Sequence, residues 1–88
     1  MTTLAAGHPP RPAELIRLQR GMTQRAVAAA AGMTENSLYH IEHGRRWPDP
    51  PVIVRLAKAL GVPHEDLVVA LLHGWLAEHR PARPKDQP

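Results

Sequence analysis

Cysteine is absent from this sequence of 88 residues. Without thiolates the chain can form neither disulfide bonds nor thiolate metal sites, and it has no cysteine nucleophile. Long apolar runs are also absent, because the longest falls well short of the roughly 18 residues that a membrane span needs. The first seven residues have neither the basic start nor the apolar segment of a secretory signal. These absences predict a soluble, cytoplasmic protein that is not exported and does not span a membrane.

The size and charge of the chain limit its function further. Eighty-eight residues are enough for one small domain with a modest core. The net charge of +3 and the pI of about 10.2 favour an anionic partner. Residues 11–46 contain six cations and three anions, whereas five of each follow from residue 47 onward. The first half is therefore the expected position of any nucleic-acid surface.

Proline and glycine divide the chain into segments. The proline-rich ends, 1–11 and 80–88, are predicted to be disordered tails around a domain over 12–79. Five segments of that domain have helical spacing, and no alternating run indicates a strand. The predicted helices run from about Pro12 to before Gly21, over 24–31, over 35–43, from about Pro50 to before Gly61, and onward from Pro63. The fold class predicted is therefore all-α.

The third predicted helix has a narrow apolar side and a broad polar side. At about 100° per residue, Leu38 and Ile41 fall on one side of a helical wheel. The opposite side is a continuous row of hydrogen-bonding residues: Glu35, Asn36, Tyr39, His40 and His43. A solvated surface is the ordinary interpretation of such a row, although solvated faces more often carry Lys, Glu and Gln. The row alone is compatible with both interpretations, a solvated surface and a binding surface.

Residues 24–43 have the pattern of two helices joined by a tight turn. The small side chain of Ala28 allows the helices to cross closely, and Gly32 can adopt the left-handed conformation that the turn requires. This pattern is typical of a helix-turn-helix, whose second helix enters the major groove of DNA. The recognition helix would then be the segment 35–43.

More of the chain, from Ala13 to about Leu72, resembles the Cro and phage-repressor type of helix-turn-helix domain, the Xre-like family. The matching segments are "IR" in the first helix, "GMTQ" before the second, "AG" at the turn, "IEHGRRWP" after the third and "LAKALGV" ending the fourth. The resemblance implies a five-helix, lambda-repressor-like domain with an extended last helix. It also implies a small transcriptional regulator, bacterial or from a phage or plasmid, that binds double-stranded DNA without a cofactor, in the cytoplasm and associated with the nucleoid. Whether it is a repressor or an activator stays open.

The same resemblance implies which side chains meet base edges, namely Thr34, Glu35, Asn36, Tyr39 and His40. Asn36 is the expected determinant of specificity, because a carboxamide can pair bidentately with adenine at a gain of roughly 1 to 3 kcal/mol over a wrong base. Glu35 has two open interpretations. It could accept a hydrogen bond from cytosine, or it could simply place a favourable charge in the first helical turn.

Phosphate contacts are implied near the helix ends, at Gln24, Arg25, Ser37, His43, Arg45 and Arg46. Gln24 begins a helix, where backbone N–H groups suit an anion, and it could also brace the recognition helix. For Arg45 and Arg46 an exposed loop without function is the alternative. Arg17 and Glu42 resemble the ion pair of the family that holds the first helix against the third.

The last predicted helix is unusually apolar. Its large apolar residues include Leu71, Leu72, Trp75 and Leu76. They could cover the core or form a homodimer interface, and both roles remain open. Family members usually bind pseudo-palindromes as dimers, with half-sites roughly 34 to 36 Å apart. We therefore expect a homodimer that forms through this helix.

Other classes of function receive less support. His40 and His43 have metal-ligand spacing, but the sequence places no third ligand near them, so no metal site is predicted. Nothing resembles a nucleophile with its base or a phosphate-binding glycine loop, so an enzyme is not predicted. The remaining alternative is an antitoxin or adaptor that binds a protein partner as well as operator DNA.

Overall fold

The computed structural model describes residues 9–79. This part of the chain forms five α-helices and no strand, which confirms the all-α prediction. The helices are α1 (Pro12–Gln19), α2 (Gln24–Ala31), α3 (Glu35–Glu42), α4 (Pro50–Leu60) and α5 (His64–Glu78). The predicted tail at 80–88, and most of the one at 1–11, lie outside the described residues.

Two threonines fix where the helix-turn-helix helices begin. The hydroxyl oxygen of Thr23 accepts a 3.0 Å hydrogen bond from the N–H of Ala26, and Thr34 accepts one of the same length from Ser37. Each bond satisfies a first-turn N–H group that has no partner within its own helix. The two threonine caps therefore explain why α2 and α3 begin where the sequence predicts.

Gly32 sets the angle between α2 and α3. It adopts the left-handed conformation, with φ of 73°, and the N–H of Met33 then bonds to the carbonyl of Ala28 at 2.9 Å. A residue with a Cβ would be strained in this conformation. The chain can consequently reverse after α2 and begin α3 within three residues.

All five helices supply residues to the core. Helix α2 packs against α3 and α4, while α5 packs against α1, α3 and α4. Leu38 and Ile41, the narrow apolar side of α3, are buried in that core. Its other buried apolar residues are Ala13, Val27, Ala28, Ala31, Ile53, Leu56, Ala57, Leu60, Leu67, Ala70 and Leu71. The opposite side of α3 is left at the surface.

Helix α5 is the longest helix and closes the fold. Its buried side includes Gly74, whose carbonyl lies directly against Gly44 in the turn after α3. The end of α3 is therefore in backbone contact with α5. None of the five helices in residues 9–79 has the length and apolarity that crossing a bilayer requires.

Candidate nucleic-acid interface

The outer face of α3 presents free hydrogen-bonding groups. Glu35, Asn36 and Tyr39 are exposed, and His40 is half-buried beside them. Within residues 9–79 neither the Asn36 carboxamide nor the Tyr39 hydroxyl has a hydrogen-bond partner. Thr34 is also exposed, and although its oxygen caps α3, its own hydroxyl proton remains available to donate. All five predicted base-contacting residues thus lie on or at the edge of one open surface.

His43 departs from the predicted row. Its side chain is only 8% exposed, its Nδ1 lies 2.9 Å from the carbonyl oxygen of Tyr39, and its ring centroid lies 4.1 Å from that of Tyr39. The N–H of His43 still bonds to the carbonyl of Tyr39 at 3.0 Å, as in a helix, so the ring is buried by its packing against Tyr39 and not by a change of helical direction. The side chain of His43, predicted to contact phosphate, therefore lies against Tyr39 and is buried. No group of three or more His, Cys, Asp or Glu side chains that could hold a metal ion occurs in residues 9–79.

Arg17 and Glu42 form a buried ion pair between α1 and α3. Nε of Arg17 donates to Oε2 of Glu42 at 2.6 Å, and Nη2 donates to Oε1 at 3.2 Å. The third guanidinium nitrogen, Nη1, donates to the carbonyl of Met22 at 2.9 Å. A bidentate pair of this kind fixes both distance and angle between the two helices.

Gln24 joins this pair to the start of α2. Its Nε2 donates to Oε1 of Glu42 at 3.0 Å, so one carboxylate holds side chains from α1 and α2 at once. The carboxamide oxygen and the second N–H proton of Gln24 are not used in that bond. The first turn of α2 is consequently held beside the end of α3.

Cations surround the outer face of α3. Arg25, Arg45 and Arg46 are exposed, and Nη1 of Arg46 donates to the hydroxyl of Ser37 at 3.1 Å. An open groove of about 550 Å³ lies between α1, the start of α2 and the outer face of α3. Its lining includes Gln24 and Arg25 at the start of α2, together with the carboxylates of Glu14 and Glu35. The start of α2 and the exposed arginines can therefore accept an anion.

The predicted interface residues of α5 separate into two groups. Leu71 is 3% exposed and belongs to the core, while Trp75 is half-buried with its ring edge-on to Trp47 at 5.9 Å. Leu72 and Leu76 are 42% and 52% exposed. They share their face with exposed Val69, which sequence reasoning missed although the i, i+3, i+7 spacing marks it. We refer to Val69, Leu72 and Leu76 as the α5 stripe.

Two other contacts had not been expected. Nε of Arg55 donates to the carbonyl of Ala31 at 2.9 Å, which satisfies an acceptor at the end of α2. Arg11 and Glu78 form an ion pair of 3.2 Å that ties the start of α1 to the end of α5. Neither pair has a spacing signal in the sequence, because both join helices far apart along the chain.

The comparisons with known proteins agree with this geometry. The family model described as helix-turn-helix matches residues 14–67. A protein of Sinorhizobium fredii (strain NBRC 101917 / NGR234), described as an uncharacterized HTH-type transcriptional regulator, is 42% identical over 53 residues. That alignment covers 60% of this chain and 69% of the relative. The region matched by the family model contains α1, apart from its first two residues, all of α2, α3 and α4, and the start of α5.

Proposed function

Because the chain belongs to the helix-turn-helix family, as an Xre-like DNA-binding protein, we propose that it regulates transcription by reading a specific base sequence with α3. The observation that carries this proposal is the unpartnered Asn36 carboxamide on an open face whose opposite side is anchored in the core. In the major groove Asn36 would pair with adenine, while Tyr39 and His40 would contact neighbouring bases. Thr34 and Glu35 would meet base edges at the start of the helix.

Phosphate contacts would position the domain on the duplex. Gln24 and Arg25 would bind one strand at the start of α2, where the helix dipole also favours an anion. Arg46, bonded to Ser37, would bind a second phosphate, and Arg45 would bind beside it. With about three to five phosphates neutralised per monomer, log K should fall with log salt by about 0.9 for each phosphate.

Replacing Asn36 and Arg46 by alanine should separate these two kinds of contact. We expect Asn36→Ala to lose about 1 to 3 kcal/mol of discrimination at one or two base pairs. Arg46→Ala should weaken binding to all sequences alike and reduce the salt slope by about 1. The measurement is a fluorescence-anisotropy titration over a salt series, on a duplex selected from a random pool and on its single-base variants.

Lys58→Ala is the matched control, because Lys58 is an exposed cation on α4 outside the proposed surface. It should change neither the base preference nor the salt slope appreciably. Equal effects of Asn36→Ala on every base variant would contradict a base-reading role for that carboxamide.

We also propose that the α5 stripe joins two copies of the chain. A helix that is apolar on all sides is normally buried on all sides, yet Leu72 and Leu76 are exposed after Leu71 has closed the monomer core. A second copy would cover the stripe isologously and place two recognition helices on one side of the dimer. The two would then meet half-sites about one turn of DNA apart.

A charge in the α5 stripe should dissociate this dimer. Leu76→Glu is expected to shift sedimentation from dimer to monomer and to weaken operator binding at least tenfold, since both half-sites must then be bound independently. Val54→Glu is the control, because Val54 on α4 is equally exposed, at 52%. If the native protein sediments as a monomer at all concentrations, with and without DNA, the dimer is excluded. The stripe would then be free for a different protein, as the adaptor or antitoxin alternative requires.

A further inference from the structure

A cavity of about 240 Å³ lies beside α3, between this helix, the 46–49 turn and the start of α4. We refer to it as the α3–α4 pocket. The two α3 residues that line it, Ser37 and Ile41, lie about 100° or more around the helix from Asn36. The pocket is therefore separate from the row that is proposed to read bases, although it adjoins the same helix.

Beside its polar groups, the α3–α4 pocket has apolar walls. They are formed by the side chains of Met33, Ile41, Trp47 and Val52. Ile41 belongs to the core, whereas Trp47 is exposed. The volume is below the roughly 300 to 1,000 Å³ of pockets for drug-sized ligands. These dimensions suit a small ligand with one compact apolar group.

Two opposite charges line the same pocket without pairing. Arg46 donates one N–H to Ser37, and its Nε and Nη2 have no partner in residues 9–79. The carboxylate of Asp49 has no hydrogen-bond or ion-pair partner there either. The lining of the pocket thus includes both a donor fork and a carboxylate.

The sequence explains why Asp49 remains available. Asp49 precedes α4, a position where its side chain would ordinarily accept first-turn N–H groups. Pro50 and Pro51 have no N–H, and the N–H groups of Val52 and Ile53 already bond to the backbone carbonyl of Asp49, at 2.9 and 3.0 Å. The carboxylate is therefore released from the capping role and can bind a cation.

We propose that the α3–α4 pocket binds a small zwitterion of the α-amino acid class with an apolar side chain. The ligand carboxylate pairs with Arg46, the ammonium group pairs with Asp49, and the side chain contacts Met33, Trp47 and Val52. A simple carboxylate would meet the charge of Asp49 without compensation, and a simple amine would meet that of Arg46. Only a ligand with both charges satisfies both groups.

Such a ligand would oppose DNA binding, a consequence that rests on the proposed function. Arg46, held by Ser37, is a proposed phosphate contact, and a ligand carboxylate on its guanidinium takes the place of that phosphate. The ligand then lowers the affinity for DNA, and DNA lowers the affinity for the ligand by the same factor. The pocket would make this domain responsive to a metabolite without a separate sensor.

Binding can be tested without DNA, by calorimetry and by amide chemical shifts of the full chain. L-Phenylalanine and L-leucine are expected to bind with dissociation constants of about 1 mM or tighter and to shift the signals of residues around Trp47. L-Alanine has the same charges but does not fill the cavity, and should bind at least tenfold more weakly. 3-Phenylpropionate and phenethylamine each lack one charge and should also bind at least tenfold more weakly. No binding of phenylalanine or leucine, or equal binding of all five compounds, overturns the proposal.

Variants of Arg46 and Asp49 test which charged group of the ligand each residue binds. Arg46→Gln and Asp49→Asn, both at exposed positions, should each abolish the advantage of the zwitterion. Asp49→Asn should in addition improve the binding of 3-phenylpropionate, since the repulsion is removed, whereas Lys58→Gln should leave all affinities unchanged. Unchanged phenylalanine binding in Asp49→Asn overturns the assignment.

The competition is tested separately, on the selected duplex. Saturating phenylalanine should weaken DNA binding of the native protein by tenfold or more and should leave Arg46→Gln unaffected. If phenylalanine binds but does not change the affinity for DNA, the proposed competition for Arg46 is wrong. Failure of the native protein to select any DNA sequence would count against the proposed function alone, because the ligand titrations do not depend on DNA.

Discussion

Gly44→Ala is expected to lower the melting temperature by about 12 °C or more. Gly44 has φ of 71°, and a Cβ at this position would lie 2.5 Å from the carbonyl oxygen of Gly74 and 2.9 Å from its carbon. Both obstructing atoms are backbone, so α5 would have to move away from α3. Left-handed strain of about 1 to 2 kcal/mol and the loss of packing along α5 should together exceed about 3 kcal/mol.

Two other glycines serve as controls for this effect, measured by thermal and urea denaturation. Gly21 has φ of 68° but no atom within 4 Å of a built Cβ, so Gly21→Ala should show only the backbone strain, about 1 to 2 kcal/mol. A Cβ on helical Gly74 would lie at an ordinary 3.9 Å from the carbonyl oxygen of Glu42, so Gly74→Ala should be nearly neutral or stabilising. If Gly44→Ala costs no more than Gly21→Ala, the close contact between the α3 turn and α5 is wrong.

Glu42→Gln is expected to reduce the free energy of unfolding by about 3 to 5 kcal/mol. Glu42 is 4% exposed and is the only acceptor for the Nε and Nη2 groups of Arg17 in residues 9–79. The neutral amide would leave the buried Arg17 charge with only the more distant carboxylate of Glu14, 4.0 Å from Nη2, and would present N–H protons to it. Because Gln24 bonds to the same carboxylate, DNA affinity should fall even where the variant remains folded.

The matched control is Glu78→Gln, which breaks the partly exposed ion pair with Arg11. Pairs of that kind contribute about 0.2 to 1 kcal/mol, so urea denaturation should distinguish the two variants clearly. The double variant Arg17→Met with Glu42→Leu removes both charges and should regain much of the lost stability. It should not regain DNA affinity, since Gln24 has lost its partner. Equal stability of Glu42→Gln and Glu78→Gln would contradict a structural role for the buried pair.

The helices of this fold could be predicted from local chemistry. Thr23 and Thr34 begin α2 and α3, and glycines end them, so the expected limits differ from the observed ones by about a residue. The Arg17 and Glu42 pair was implied by the family resemblance, and no spacing rule would have found it. His43 keeps the helical hydrogen bond to Tyr39, so the wheel gives its direction, but the wheel cannot show that its ring packs against Tyr39 and is buried.

Tertiary contacts were harder to predict. In α5 both sides are apolar, so the sequence cannot tell that Leu71 faces the core and Leu72 faces outward. The contact between Gly44 and Gly74 joins residues thirty positions apart and has no local signal. The availability of Asp49 could have been inferred from the two prolines that follow it, but the α3–α4 pocket exists only because the 46–49 turn packs beside α3.

Whether α3 reads base sequence is tested most directly by selection from a random duplex pool. The native protein should enrich one motif, with two related half-sites about one helical turn apart. The same selection with Asn36→Ala should relax one or two positions in each half-site and leave the spacing unchanged. A pool without an enriched motif, or a motif that Asn36→Ala leaves intact, would contradict sequence recognition by this surface.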